Sequence, residues 1–146
     1  MKREGMRLSS RHRCWFYSAT VLLFASGVAW LLFRYALRRA GEFGDLPHPG
    51  EPWSLRVHGG AAMLFLVMLG TLIRSHILHG WRLGRNRFTG VAMLSIMVLL
   101  TLTGYALYYA GGERVRPVVS VLHWGIGVAL PAALLWHILV GRHSSR

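Results

Sequence analysis

LHWGIGVALPAALLWHILVGR, residues 122–142, has no acidic or basic side chain before its final arginine, yet it holds His123 and His137. Uncharged side chains over that length suit hydrocarbon, and two imidazoles do not. The uncharged stretch spans 117–141, and three others precede it at 14–33, 57–73 and 88–112. The second is the shortest, but it continues past Arg74 through Ser75 to Trp81. A helix rising about 1.5 Å per residue needs about 20 residues to cross a hydrocarbon layer of about 30 Å. None of the four has the polar face that a helix of a soluble bundle would show to water. The expected fold is an all-α integral membrane protein, an up-and-down bundle of four transmembrane helices. The helices are predicted at about 14–36, 56–80, 88–110 and 117–141, in one domain over residues 1–146.

The net charge of +12 raises the question of nucleic acid, and its distribution answers it. Lys2, Arg3, Arg7, Arg11 and Arg13 precede helix one, Arg74, Arg82, Arg85 and Arg87 flank the turn after helix two, and Arg142 and Arg146 end the chain. Glu4 is the only acid among them. The other side carries Arg34, Arg38, Arg39, Arg56, Arg114 and Arg116 with Glu42, Asp45, Glu51 and Glu113. The excess marks the cytoplasmic side, so both termini are expected inside, with loops 35–56 and 111–117 outside. Most of these cations are expected to meet membrane lipid, not nucleic acid. Trp15, Trp53, Trp81 and Trp124 fall near the predicted boundaries, as interfacial aromatics do.

Helix one is too long for a signal-peptide core and no small-x-small site follows it, so it is expected to remain as an anchor. A single cysteine, Cys14, offers no internal disulfide and no cysteine-based metal site. Without Cys-x-x-Cys-His there is no covalent c-type haem attachment. Paired glycines end helix three, Pro117 opens helix four, and Pro131 is expected to kink it. No internal repeat is evident.

The chain has eight histidines. His12, His48 and His143 fall in predicted tails or loops and read as solvated. The others need a reason, because ionisable residues inside membrane spans are costly and usually functional. His123 and His137 are fourteen residues apart, about 40° short of four full turns, so they share a face about 21 Å apart. His58 and His76 are eighteen apart, which is about five full turns, and His79 lies about 60° off that face. Helices two and four run in the same direction. His58 and His123 then lie near the outer surface, and His76 and His137 near the inner one. Two imidazoles at each of two levels is the arrangement that ligates two haems edge-on inside a bundle. Two bis-histidine irons have no open position for oxygen, which points to electron transfer. Gly59, Gly60, Ala61, Ala62, Gly125 and Gly127 leave room beside the backbone, although membrane helices also pack through small residues. Arg56, Arg114 and Arg116 outside, and Arg74, Arg82 and Arg85 inside, are cations for propionates.

These residues resemble a family. The two histidines of 122–142, together with TGYALYYAGGERVRPVVSVLHW and RVHGG, are similar to the small dihaem b-type membrane cytochromes. That group includes bacterial cytochrome b561 and the cytochrome b subunits of respiratory formate dehydrogenase and nickel–iron hydrogenase. The resemblance covers about residues 13–142. It implies two non-covalent haem b groups in a bacterial cytoplasmic membrane, passing electrons between the quinone pool and a partner redox protein or larger membrane complex. The protein would be an electron-transfer subunit, not a self-contained enzyme. His58 with His123 matches the family pattern. The family also commonly places a histidine at the inner end of helix one, whereas here His12 precedes the predicted span in RHRCWFYSATVLLFASG. The partner of His137 is therefore open among His76, the first choice by depth, His12 and His79. Tyr105, Tyr108 and Tyr109 are placed to line an outer quinone site, but an interfacial tyrosine belt explains them better. The rivals are a histidine-based metal or proton transporter, which would need acids along the helices, and a membrane anchor with one haem or none.

Overall fold

The computed structural model describes residues 10–84, 86–109 and 111–143. Four helices carry most of them: α1 (Ser10–Ala36), α2 (Gly50–Arg82), α3 (Arg87–Tyr109) and α4 (Val115–His143). Each is long and apolar enough to cross a membrane. Among the described residues there is no strand, only an isolated antiparallel bridge between Arg39 and Leu46.

The helices begin earlier than hydropathy predicts. Charge marks where lipid ends, but only a backbone break ends a helix. Nothing in Ser10–Arg13 breaks the backbone, so α1 includes His12, which sequence placed in a solvated tail. Pro52 falls in the expected outer loop 35–56. It sits instead in the first turn of α2, where a missing N–H costs no intrahelical bond. His48 is not a solvated loop residue either. Its Nδ1 accepts from the Gly50 N–H at 3.0 Å, and its ring stacks on Phe33 with centroids 4.4 Å apart. An Arg34–Glu51 ion pair at 3.3 Å joins the same corner. At the far end, α4 continues through Pro131 and takes in His143.

Two segments depart from α-geometry. Leu32–Ala36 closes α1 as a π-helix, and Ile73–Ile77 interrupts α2 in the same way. A π-turn accommodates about one extra residue, which sets back everything beyond it by about 100°. The five-turn register between His58 and His76 assumed an unbroken α-helix. That premise does not hold, because His76 lies inside the π-turn.

The chain forms two compact units, one ending at His76 and the other beginning at Ile77. In the first, α1 packs antiparallel on α2. The seam takes Phe16, Ala19 and Ser26 from α1 and Ala61, Phe65 and Leu72 from α2, with the Phe16 and Phe65 rings 5.3 Å apart. In the second, α3 packs on α4 through Thr89, Met97 and Leu130, and Gly127 approaches Leu100. The seam positions step by four and three residues: 12, 16, 19, 23, 26 on α1 and 123, 127, 130, 134, 137 on α4. A strict seven-residue repeat is the signature of helices crossing at about +20°. Met63 and Val67 of α2 are 75% and 67% exposed, as expected of side chains that would face hydrocarbon. The turn joining α2 to α3 places Gly84 at φ +69° and Asn86 at φ +52°, conformations suited to those two residue types.

Candidate functional site

Among the described residues, each hairpin holds two cross-connections made by histidine, one near its connecting loop and one at its open end. At the loop end of the first, His58 Nδ1 lies 3.0 Å from the Leu23 carbonyl and 3.2 Å from Ser26 Oγ. At the loop end of the second, His123 Nδ1 lies 2.9 Å from Thr103 Oγ1. The open end of the second joins His137 Nδ1 to Thr89 Oγ1 at 2.9 Å. The open end of the first joins His12 Nε2 to Thr71 Oγ1 at 2.8 Å. The two hairpins thus share a layout, with one difference: the open-end histidine is on the first helix of one and the second helix of the other.

The protons can be placed. A carbonyl only accepts, so His58 carries hydrogen on Nδ1. Thr103 donates its single hydroxyl proton to the Leu99 carbonyl at 2.7 Å, and Thr89 donates its own to the Asn86 carbonyl at 3.3 Å. With those protons so placed, both hydroxyl oxygens can accept from imidazole. With Nδ1 as the donor, neutral His58, His123 and His137 keep Nε2 unprotonated, the nitrogen that haem iron takes. Thr71 has the Met68 carbonyl at 2.6 Å as acceptor, so its oxygen can accept from His12 Nε2, which would leave Nδ1 unprotonated. His12 thus differs from the other three.

Glycine admits two of these rings. A Cβ on Gly27 would stand 3.1 Å from His58 Cε1, and one on Gly104 3.2 Å from His123 Cε1. Each follows the hydroxyl residue in sequence, as Ser26–Gly27 and Thr103–Gly104. The glycines singled out from sequence behave differently. Gly59, Gly60 and Gly125 have nothing within 4 Å of where a Cβ would be, so they leave open strips along α2 and α4.

Other residues fit a flat, carboxylate-bearing ligand. The indole nitrogens of Trp30 and Trp124 are buried without an acceptor among the described residues, and a propionate would supply one. Trp124 adjoins His123, and Trp30 lies one turn beyond Ser26, about 6 Å along the axis. Arg56 lies over the Trp53 ring at 4.7 Å. Arg74, Arg82, Arg114 and Arg116 are exposed, and Arg85 lies outside the described residues. Among the described residues no three His, Cys, Asp or Glu side chains gather as a bare-metal site would require. An apolar depression of about 430 Å³ on α1, lined by Tyr17, Ser18, Val21, Leu22 and Ala25, touches none of the histidines.

His58 and His76 belong to the first unit, His123 and His137 to the second. His76 is half-buried, and His79 is exposed in the last turn of α2. Reading the histidines alone missed Ser26, Thr89, Thr103, Gly27, Gly104 and the Leu23 carbonyl. The signal was present: His12 to Ser26 and Thr89 to Thr103 repeat the fourteen-residue step of His123 to His137. Comparison with models of protein families, with curated proteins and with solved structures gives no match for this chain.

Proposed function

We propose that this chain is a membrane-embedded, b-type dihaem cytochrome that carries electrons across or along a bacterial cytoplasmic membrane. One observation carries the reading. Three imidazoles within apolar helices each set Nδ1 against an oxygen on the neighbouring helix, which favours Nε2 as the nitrogen for iron. His58 and His123 would hold the outer haem. His137 would hold the inner one with His12. The π-turn removes the helical-register argument for His76, while His12 occupies the open-end position that mirrors His137. Iron at His12 would replace its bond to Thr71. Bound haem supplies one-electron transfer without an open position for oxygen. Trp30, Trp124 and Arg56 would receive the outer propionates. The basic termini and middle turn face the cytoplasm in this reading, and quinone and a partner redox protein or larger complex are the exchange partners.

The same hydrogen bonds would also join hairpins that carry no haem, as an anchor subunit would. Interhelical bonds in membranes are worth only about 0.6 kcal/mol on average. That is little return for four histidines, since leucine would pack without any polar cost.

The test is the absorption spectrum of the detergent-purified chain. A reduced b-type α band and two haems per chain are expected. A colourless preparation that takes up no added haem refutes the proposal. Gly104→Val should push the His123 ring from its place and cost about tenfold in retention of the outer haem, read from haem content after dilution.

A further inference from the structure

We infer that Thr103, Thr89 and the Leu23 carbonyl with Ser26 are positioning groups that set how strongly His123, His137 and His58 donate to iron, and thereby set the midpoint potentials of the two haems. This rests on the cytochrome reading and goes beyond it. It assigns a redox role to four residues that are not themselves proposed as iron ligands.

The hydroxyls act as relays. Imidazole N–H donates to Oγ, and Oγ–H donates to a carbonyl one turn back on the same helix. A hydroxyl whose proton is well bonded becomes a better acceptor, because such chains polarise along their length. The links are not equal. Thr103 closes its relay onto the Leu99 carbonyl at 2.7 Å, whereas Thr89 reaches the Asn86 carbonyl at 3.3 Å. His58 needs no relay, because the Leu23 carbonyl stands 3.0 Å from its Nδ1. His58 and His123 are therefore the more strongly polarised imidazoles and His137 the less.

The direction follows from charge. A bonded Nδ1–H moves electron density onto the ring and favours ferric over ferrous iron, which lowers the potential. Nδ1 keeps its proton in both states, and one electron is taken up at iron from the one-electron reductant of the titration. Thr89 is 4% exposed and Ser26 7%, so water does not readily replace either hydroxyl.

A redox titration of the full chain, followed at the α band, tests this with Thr103→Val and Thr103→Ser. Valine keeps the shape and removes the acceptor. It should weaken the preference for ferric iron about tenfold at the outer haem, a rise of about 59 mV for one electron. Serine should restore the wild-type midpoint. Thr89→Val should raise only the inner midpoint. Ser26→Ala should shift the outer midpoint less than Thr103→Val, because the Leu23 carbonyl still accepts from His58. A Thr103→Val protein that keeps both haems at unchanged midpoints overturns the inference. If valine releases the haem, retention by serine at the wild-type midpoint supports it, and loss from both variants overturns it. Wild-type protein that holds no haem is a separate result, which refutes the cytochrome reading itself.

Discussion

His123→Ala should lose the outer haem and keep the inner one. Haem content should fall from two per chain to one, and one of the two midpoints should vanish from a redox titration. The size of the effect follows from coordination. Alanine offers no ligand, and the surrounding seam offers no replacement, since Thr103 and Gly104 are the nearby groups on α3. The loss at that site should be complete. The helix itself should tolerate the change. α4 becomes more apolar, and the bond given up to Thr103 is worth about 0.6 kcal/mol. Thr103 still donates to the Leu99 carbonyl, so no hydroxyl proton is stranded. Two unchanged haem signals in a folded His123→Ala protein would show that the outer ligand has been misassigned.

His12→Ala should remove the inner haem, and His76→Ala should leave both in place. This pair separates the geometric assignment from the one that depth along the sequence favours. His12 lies on the α1 seam against α2, at the end of the hairpin equivalent to that of His137. His76 lies in the π-turn Ile73–Ile77. The readout is again haem content together with the surviving midpoint, and His137→Ala supplies the reference for an inner site that is wholly lost. Inner haem that survives His12→Ala and disappears in His76→Ala would restore the sequence-based choice.

The four helices were legible because hydrocarbon makes a simple demand, and the chain meets it with long uncharged runs. Their ends were less legible. Ser10–Arg13 and Gly50–Leu55 are helical although polar or proline-bearing, because hydropathy reports the edge of lipid and not the last backbone hydrogen bond. Histidine spacing on α4 read correctly as one face, since α4 is α-helical throughout. The same arithmetic does not carry through α2, because a π-turn that leaves no mark in composition interrupts it. Ser26, Thr89 and Thr103 escaped notice for another reason. Serine and threonine are ordinary in membrane helices, where they bond back to their own backbone. Only the juxtaposition with imidazole on the next helix gives them a second partner.

The two cross-connections in each hairpin also act as register pins. They lie about fourteen residues apart along a seam that is otherwise smooth and apolar, and such a seam resists separation better than sliding. Moving one helix along the other by a single turn, about 5.4 Å, would break both pins together and strand their polar atoms in hydrocarbon. Shear is therefore opposed at two points before any cofactor arrives. Each hairpin is a preset ruler that holds its own histidines at fixed depths.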